Sequence, residues 1–280
     1  FDIYLKDEGF YYFNPEYLMF KADSTSGEKS VRLRLMLKED APTKAKTRYY
    51  INNVYINPAF RNNSDTISKP ADTLFVDGYH YITPDSTFKP RAVTSSIFVK
   101  KNELYSRKAY SLSVRRLMGM GVFRYVNIRY EDTLLKDRGG LDVFINMTPT
   151  ERRSLQLELD AVTKSNNYSG PALTLSLKDR NLFRGAELWL FNVNSNFETQ
   201  FTGIQKGFNS YEFGANTQLY LPKFLAPIKI RNVSSYFVPR TKFDLGFRTL
   251  NRVLYFSMKA VNFSYGYTWK EKKKKEHTFN

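Results

Sequence analysis

Cysteine does not occur in the 280 residues, so disulfides, thiolate zinc sites and a cysteine nucleophile are excluded. No run of about 18 apolar residues is present either, which removes a transmembrane helix. The mean hydropathy of -0.48 agrees. A membrane barrel stays open, because its strands expose only alternate residues to lipid and give a weak signal per segment. Histidine is scarce: His80 and His277 stand alone, with no partner at i+4 and no motif around them. The residues therefore offer neither a metal site nor a Ser-His-Asp set. The chain also begins at Phe1 without methionine, which reads as a piece of a longer protein whose targeting signal lies outside it.

What is abundant is positive charge and aromatic side chains. Lys and Arg number 43 against 27 Asp and Glu, a formal net charge of +16. Taken alone, that balance points to nucleic acid or another anionic surface. Its densest run, KEKKKKEH at 270–277, follows a strand ending in Trp269 and reads as a solvated turn between strands. The 20 Tyr and 23 Phe are many for a soluble domain, and such side chains favour strands and membrane interfaces. Gly119-Met120-Gly121 lacks the strand and spacing of a dinucleotide loop and reads as a helix stop.

Along the first 150 residues the elements are mixed. YLMFKAD and VRLRLMLKE flank a Gly-containing turn, STSGEK, and read as a hairpin with Val31, Leu33, Leu35 and Leu37 on one face. EDAPTKAKT reads as a linker. TRYYINNVYINP is a strand ended by Pro58, followed by a polar insertion over 59–77 and the short run GYHYI. Pro90 opens a helix, Ser106 caps a second, and Tyr110, Val114, Leu117 and Met118 fall on one face of it. Gly119 or Gly121 ends that helix. The strand VFRYVNIRYED, a turn containing Arg138-Gly139-Gly140 and the strand LDVFINMTPTE complete the order β-α-α-β-β.

From residue 152 onward only strands are expected. Leu155, Leu157, Leu159 and Ala161 oppose Gln156, Glu158 and Asp160. Tyr211, Phe213, Ala215, Leu219 and Leu221 oppose Glu212, Gly214, Asn216 and Gln218; Val261, Phe263, Tyr265, Tyr267 and Trp269 oppose Asn262, Ser264, Gly266 and Thr268. The stretch 185–195 alternates less cleanly, since Leu188, Trp189, Leu190 and Phe191 are all apolar. A soluble sandwich can alternate as well. Three details favour a transmembrane barrel: runs near the length that crosses a bilayer on a tilt, charges beside glycines on the polar face, and aromatics at Tyr220, Phe224, Tyr267 and Trp269 near strand ends. Gly214, Gly246 and Gly266 then fall on the lumen side, where they relieve crowding in a curved wall.

Several segments resemble the Omp85 superfamily. RRLMGMGVFRYVNI, running from a helix through glycines into a strand, is similar to its periplasmic POTRA domain. NLFRGAE resembles the turn between its second and third barrel strands, with Asn181, Leu182, Phe183 and Gly185 at the recurring positions. FSYGYTW with a following His is similar to a later barrel strand of BamA- and TamA-like members. GFYYFNPEYLMFKAD resembles the POTRA segment of the TamL-like branch of Bacteroidota. The resemblance implies an α+β POTRA domain of β-α-α-β-β order followed by the N-terminal strands of a transmembrane antiparallel β-barrel. Residues 1–43 would end one POTRA domain, 44–150 would form the last, and 151–280 would supply the first six or so strands of a barrel of about sixteen.

The function so implied makes no covalent bond: no enzyme, no cofactor and no metal. Such a protein would sit in the bacterial outer membrane with its N-terminal region in the periplasm. It would receive unfolded outer-membrane clients, and a periplasmic or inner-membrane accessory protein, but no nucleic acid. A client strand would pair with the barrel's first edge, here Leu155, Gln156, Leu157, Glu158, Leu159, Asp160, Ala161, Val162, Thr163 and Lys164. A second, weaker edge would be Phe123, Arg124, Tyr125, Val126, Asn127 and Ile128, or else the strand YYINNVYI; the sequence does not choose. Two other readings stand beside this one: a two-partner secretion pore, and a soluble basic all-β binding module.

Overall fold

The computed structural model describes residues 1–23, 31–60, 73–82, 87–135, 138–165, 167–200, 209–225, 236–272 and 274–279. They form two compact units. One comprises Phe1–Ser86, Val93–Leu117 and Tyr125–Thr148; the other comprises Thr87–Ala92, Met118–Arg124 and Pro149–Asn280.

In the first unit, helix α1 (Asp2–Asp7) precedes a two-stranded antiparallel ribbon, β1 (Leu18–Asp23) with β2 (Arg32–Leu37). The expected hairpin is thus present, while its turn STSGEK lies outside the described residues apart from Asp23 before it. The expected linker contains one helical turn, α2 (Thr43–Lys46). Five strands follow in a single sheet: β3 (Tyr49–Asn57), β4 (Thr73–Val76), β5 (Tyr79–Ile82), β6 (Phe123–Leu135) and β7 (Arg138–Pro149), ordered β4-β5-β3-β7-β6. β3 runs parallel to both β5 and β7, and a register shift between Ile51 and Val54 bends it.

This topology overturns the expected β-α-α-β-β order, and the POTRA assignment that rested on it. Two strands, β4 and β5, intervene before either helix, and helix α3 (Pro90–Thr94) is barely more than a turn. β4 escaped the periodicity because three of its four side chains are exposed, so no face of it alternates toward a core. Arg138–Gly140 are likewise not a turn but the first residues of β7.

The core of this sheet combines aliphatic side chains with the buried rings of Tyr49, Tyr79 and Tyr81. Val54, Ile56, Leu141, Val143, Ile145 and Met147 are fully buried, and helix α4 (Arg107–Gly119) buries Leu112 and Leu117. The buried face of α4 is turned from the expected one: Tyr110 and Met118 are exposed, and Ser113 is inside. Ser113 is tolerated there because its hydroxyl donates to the Ala109 carbonyl and accepts from the Phe98 N–H. Ser106 caps the helix as expected, accepting from the Ala109 N–H, and Asp7 accepts from the Lys108 N–H. Gly121, at φ +75°, reverses the chain after the helix.

Asp132 on β6 ties the N-terminal segment to this unit. It accepts from the Tyr12 hydroxyl and pairs with Lys44 Nζ at 2.6 Å. Desolvation pushes this carboxyl up, but the hydrogen bonds from Lys44 and Tyr12 outweigh it and hold the group below its usual range. A depressed folded-state value means the stabilisation is present above the unfolded pKa, about 3.9, and is lost as pH falls through the folded value. Asp132→Asn should therefore lower the urea midpoint at pH 7, with the gap to wild type closing as pH falls below about 4. A gap constant across that range would refute the linkage.

The second unit is a single antiparallel meander. Its strands are β8 (Arg153–Thr163), β9 (Tyr168–Asp179), β10 (Leu188–Gln200), β11 (Asn209–Leu221), β12 (Arg240–Arg252), β13 (Phe256–Lys272) and β14 (Lys275–Phe279), each hydrogen-bonded to its neighbours in sequence. Among the described residues after 152 there is no helix. The basic run at 270–277 is mostly strand rather than turn: Lys270–Lys272 end β13 and Lys275–His277 open β14. Its charges pair internally, Lys270 with Glu276 at 2.9 Å and Lys275 with Glu271 at 2.6 Å.

Candidate membrane-facing belt and open strand edge

Directly paired residues of a ladder share a face, so the register across the second sheet can be read as rows. One row runs Leu157, Leu175, Val193, Ala215, Phe247, Val261 through six strands. The next row on the same face is Leu155, Leu177, Phe191, Thr217, Leu245, Phe263. These side chains face outward: Leu157 is 66% exposed, Val261 73% and Phe263 69%. The opposite face carries rows such as Gln156, Ser176, Asn192, Asn216, Gly246, Asn262. Register also resolves the ambiguous stretch in β10, with Trp189, Phe191 and Val193 on the apolar face and Leu190 among the polar rows.

The apolar band lies obliquely across the rows. At β8 and β9 it reaches Leu159 and Leu173, whereas the same row ends in Thr249 and Lys259 on β12 and β13. Toward the other end, Arg153 and Asp179 are polar where the continuing row gives Trp189, Leu219, Phe243 and Tyr265. Strands tilted against a flat apolar layer produce this drift, since the layer then cuts each strand at a different position. On β11 the band runs from Tyr211 to Leu219, about 27 Å along the strand or about 21 Å at a tilt of about 40°, near the ~25 Å band of outer-membrane barrels.

Several charged and amide groups of the polar face pair with one another. Asp244, 7% exposed, accepts from Asn216 Nδ2 at 3.1 Å and Asn262 Nδ2 at 3.3 Å, and pairs with Lys242 at 3.0 Å. Glu212 pairs with Arg248 at 2.6 Å. A Cβ on Gly214 or Gly246 would lie 2.4 or 2.3 Å from the amide oxygen of Asn194 or Asn262, which agrees with the expected relief of crowding on this face. Of the aromatics expected at strand ends, Phe224 packs on Tyr267 and Trp269 at 4.9 and 5.7 Å, while Tyr220 belongs to the polar face beside Lys242.

The turn between β9 and β10 is held by side chains rather than by a backbone ladder. Asn181, 3% exposed, donates Nδ2 to the Thr87 carbonyl at 2.7 Å and accepts from the Ala186 N–H at 3.0 Å. Glu187 accepts from the Phe183 and Gly185 N–H groups at 3.1 and 2.9 Å. A Cβ on Gly185 would meet Glu187 Oε1 at 2.3 Å, so a larger residue here would displace the carboxylate that holds the turn. Leu182 is half-buried and Phe183 is exposed. Sequence reading missed the anchors on either side: Glu187 itself, and Asp179, whose buried carboxylate binds Arg152 Nε at 3.2 Å and Arg153 Nε at 3.0 Å.

Of the ten positions expected to form a pairing edge, Leu155 to Thr163 lie in β8, and Lys164 follows it, paired with Glu198. Among the described residues β8 has a neighbour on one side only, β9, and its side chains are exposed on both faces. Of the two strands expected for the weaker edge, β6 lies at the end of its sheet, whereas β3 is flanked by β5 and β7. Within β6, Phe123, Val126 and Ile128 are buried and Arg124, Tyr125 and Asn127 are exposed.

No protein-family model matches the chain, and no curated protein matches it. Among solved structures, the chain is similar to BamA from Haemophilus ducreyi lacking POTRA domains 1-3, with 12% identity and a TM-score of 0.45 over 95% of this chain and 51% of that one. It is also similar to CdiB from Acinetobacter baumannii, with 9% identity and a TM-score of 0.34 over 95% and 48% of the two chains. The chain thus spans about half the length of these structures. Scores below 0.5 do not establish a shared fold. No helix among the described residues is long and apolar enough to cross a membrane, which says nothing of strands, and these residues contain no metal-binding cluster.

Proposed function

We propose that this chain supplies part of an outer-membrane barrel of the Omp85 type, which assembles or translocates other outer-membrane proteins. The single observation that carries the reading is the two-faced meander: an outward apolar band in register over six strands, backed by a polar face, and ending at β8. In a soluble module that band would be an apolar patch far beyond the few hundred Å² that soluble proteins leave in water. In lipid it is satisfied, and the unmet need moves to β8. Each unpaired N–H or C=O there costs several kcal/mol in hydrocarbon, so an added strand is strongly favoured.

The clients would therefore be unfolded barrel proteins, recognised by main-chain pairing rather than by sequence, in keeping with the resemblance of NLFRGAE to the family turn. These 280 residues hold no cysteine, so once any cysteine elsewhere in the protein is replaced the test is direct. Single cysteines at Leu155, Leu157, Leu159 and Ala161 in the full-length protein should form disulfides with cysteines in a nascent barrel strand, in one register. Adducts confined to positions on β11 or β12 would sink the proposal. Leu159→Pro, which removes a ladder donor, should reduce the yield at neighbouring positions.

A further inference from the structure

On the apolar face, where β8, β9 and β10 begin or end, a groove of about 450 Å³ opens between Leu155, Leu177, Leu182 and Trp189. Arg153, Ser154, Lys178 and Asp179 form its polar lining. The groove lies where the band gives way to charge, one row beyond Leu155 and Leu177. At this end two guanidiniums share one carboxylate, since Arg152 and Arg153 each bind Asp179 through Nε. The trio keeps one net positive charge. The Arg153 side chain is 77% exposed, and of its five N–H donors only the one at Nε points to Asp179.

We infer that this groove is a binding site for one anionic phospholipid, seated beside the β8 edge. Its phosphate would take the outward N–H groups of Arg153, and one acyl chain would lie against Leu155, Leu177, Leu182 and the Trp189 ring. Apolar walls alone would accept any lipid; the uncompensated guanidinium selects an anionic head group, through charge-assisted bonds that a zwitterion's own ammonium weakens. The ring of Trp189 is fixed for this role, because its Nε1 donates to Thr217 Oγ1 at 2.8 Å and it stacks on Phe191 at 5.9 Å, which leaves one apolar face for the groove. The inference rests on the reading of the apolar band as membrane-facing.

Trp189 is also the probe. These 280 residues hold two tryptophans, so Trp269→Phe, with any tryptophan elsewhere in the full-length protein replaced as well, leaves Trp189 as the sole reporter. The full-length protein in phosphatidylcholine vesicles would be titrated with phosphatidylglycerol brominated on its acyl chains, and in parallel with brominated phosphatidylcholine. Trp189 should be quenched as though phosphatidylglycerol were enriched around it about fivefold over the bulk, the ratio that one net cation near an anionic surface supplies. Arg153→Gln should lower that preference and Arg153→Gln with Lys178→Gln should abolish it, while Arg153→Lys should keep part of it. Equal quenching by both lipids would overturn the inference. A second reporter, Val261→Trp in a background lacking every native tryptophan, separates the two failures. If Val261→Trp is quenched and Trp189 is not, the groove is covered by protein, a paired strand included, and the lipid site is wrong while the band stands. If neither is quenched, the membrane-facing reading itself fails.

Discussion

Gly170→Ala should prevent the second sheet from forming in its native register. A Cβ at this position would lie 1.9 Å from the Phe197 carbonyl oxygen and 2.8 Å from its carbon. Both are backbone atoms of β10, and neither can retreat without separating the strands. The ladder is already interrupted there, between Asn196↔Ala172 and Thr199↔Ser169, with Pro171 unable to donate. We expect a loss above about 4 kcal/mol, the range reserved for changes that a structure cannot absorb. The measurement is urea unfolding of the protein in vesicles. Gly246→Ala is the calibrating variant, because its new Cβ meets only the movable amide of Asn262. It should cost far less, and equal losses at the two sites would refute this account.

The second large effect separates neighbours on one strand. Leu157→Arg places a charge in the middle row of the band, where a barrel in lipid loses about 2–4 kcal/mol. Gln156→Arg places the same charge one residue away on the polar face, beside Ser176, and should be close to neutral. Both residues are exposed, so neither result can be attributed to a packed core. In detergent-free buffer, without a bilayer, the two variants should converge. If Gln156→Arg proves the costlier in vesicles, the faces have been assigned the wrong way round.

How far the residues foretold these features varied with the kind of signal. Alternation carried the second sheet well, because a half-solvated strand writes its two faces directly into its sequence: Leu155, Leu157 and Leu159 against Gln156 and Glu158 needed no tertiary information. It faltered at Trp189-Leu190-Phe191, where both faces are apolar and only pairing with Lys178 and Gln218 puts Leu190 on the polar side. In the first sheet the β4–β5 hairpin was legible but overlooked. Asp77-Gly78 between LFV and YHY is a two-residue turn signal, and both residues take positive φ, +52° and +88°. The face of α4 could not be read correctly, because a buried serine with two local partners looks in sequence like a solvent-facing one. The turn at 181–187 gave up its glycine and asparagine to motif resemblance. Its acidic anchors stayed hidden, since a carboxylate that grips backbone N–H groups has no periodicity.

The oblique course of the apolar band has a consequence for any closed form of this sheet. A tilted ladder behaves as a screw: each strand is displaced along the axis against the last, and the displacements accumulate around the wall. A strand returning to β8 therefore meets it stepped rather than level, displaced along β8 by the stagger summed around the wall. Only a strand whose own stagger completes that sum brings its apolar stretch level with Leu155, Leu157 and Leu159.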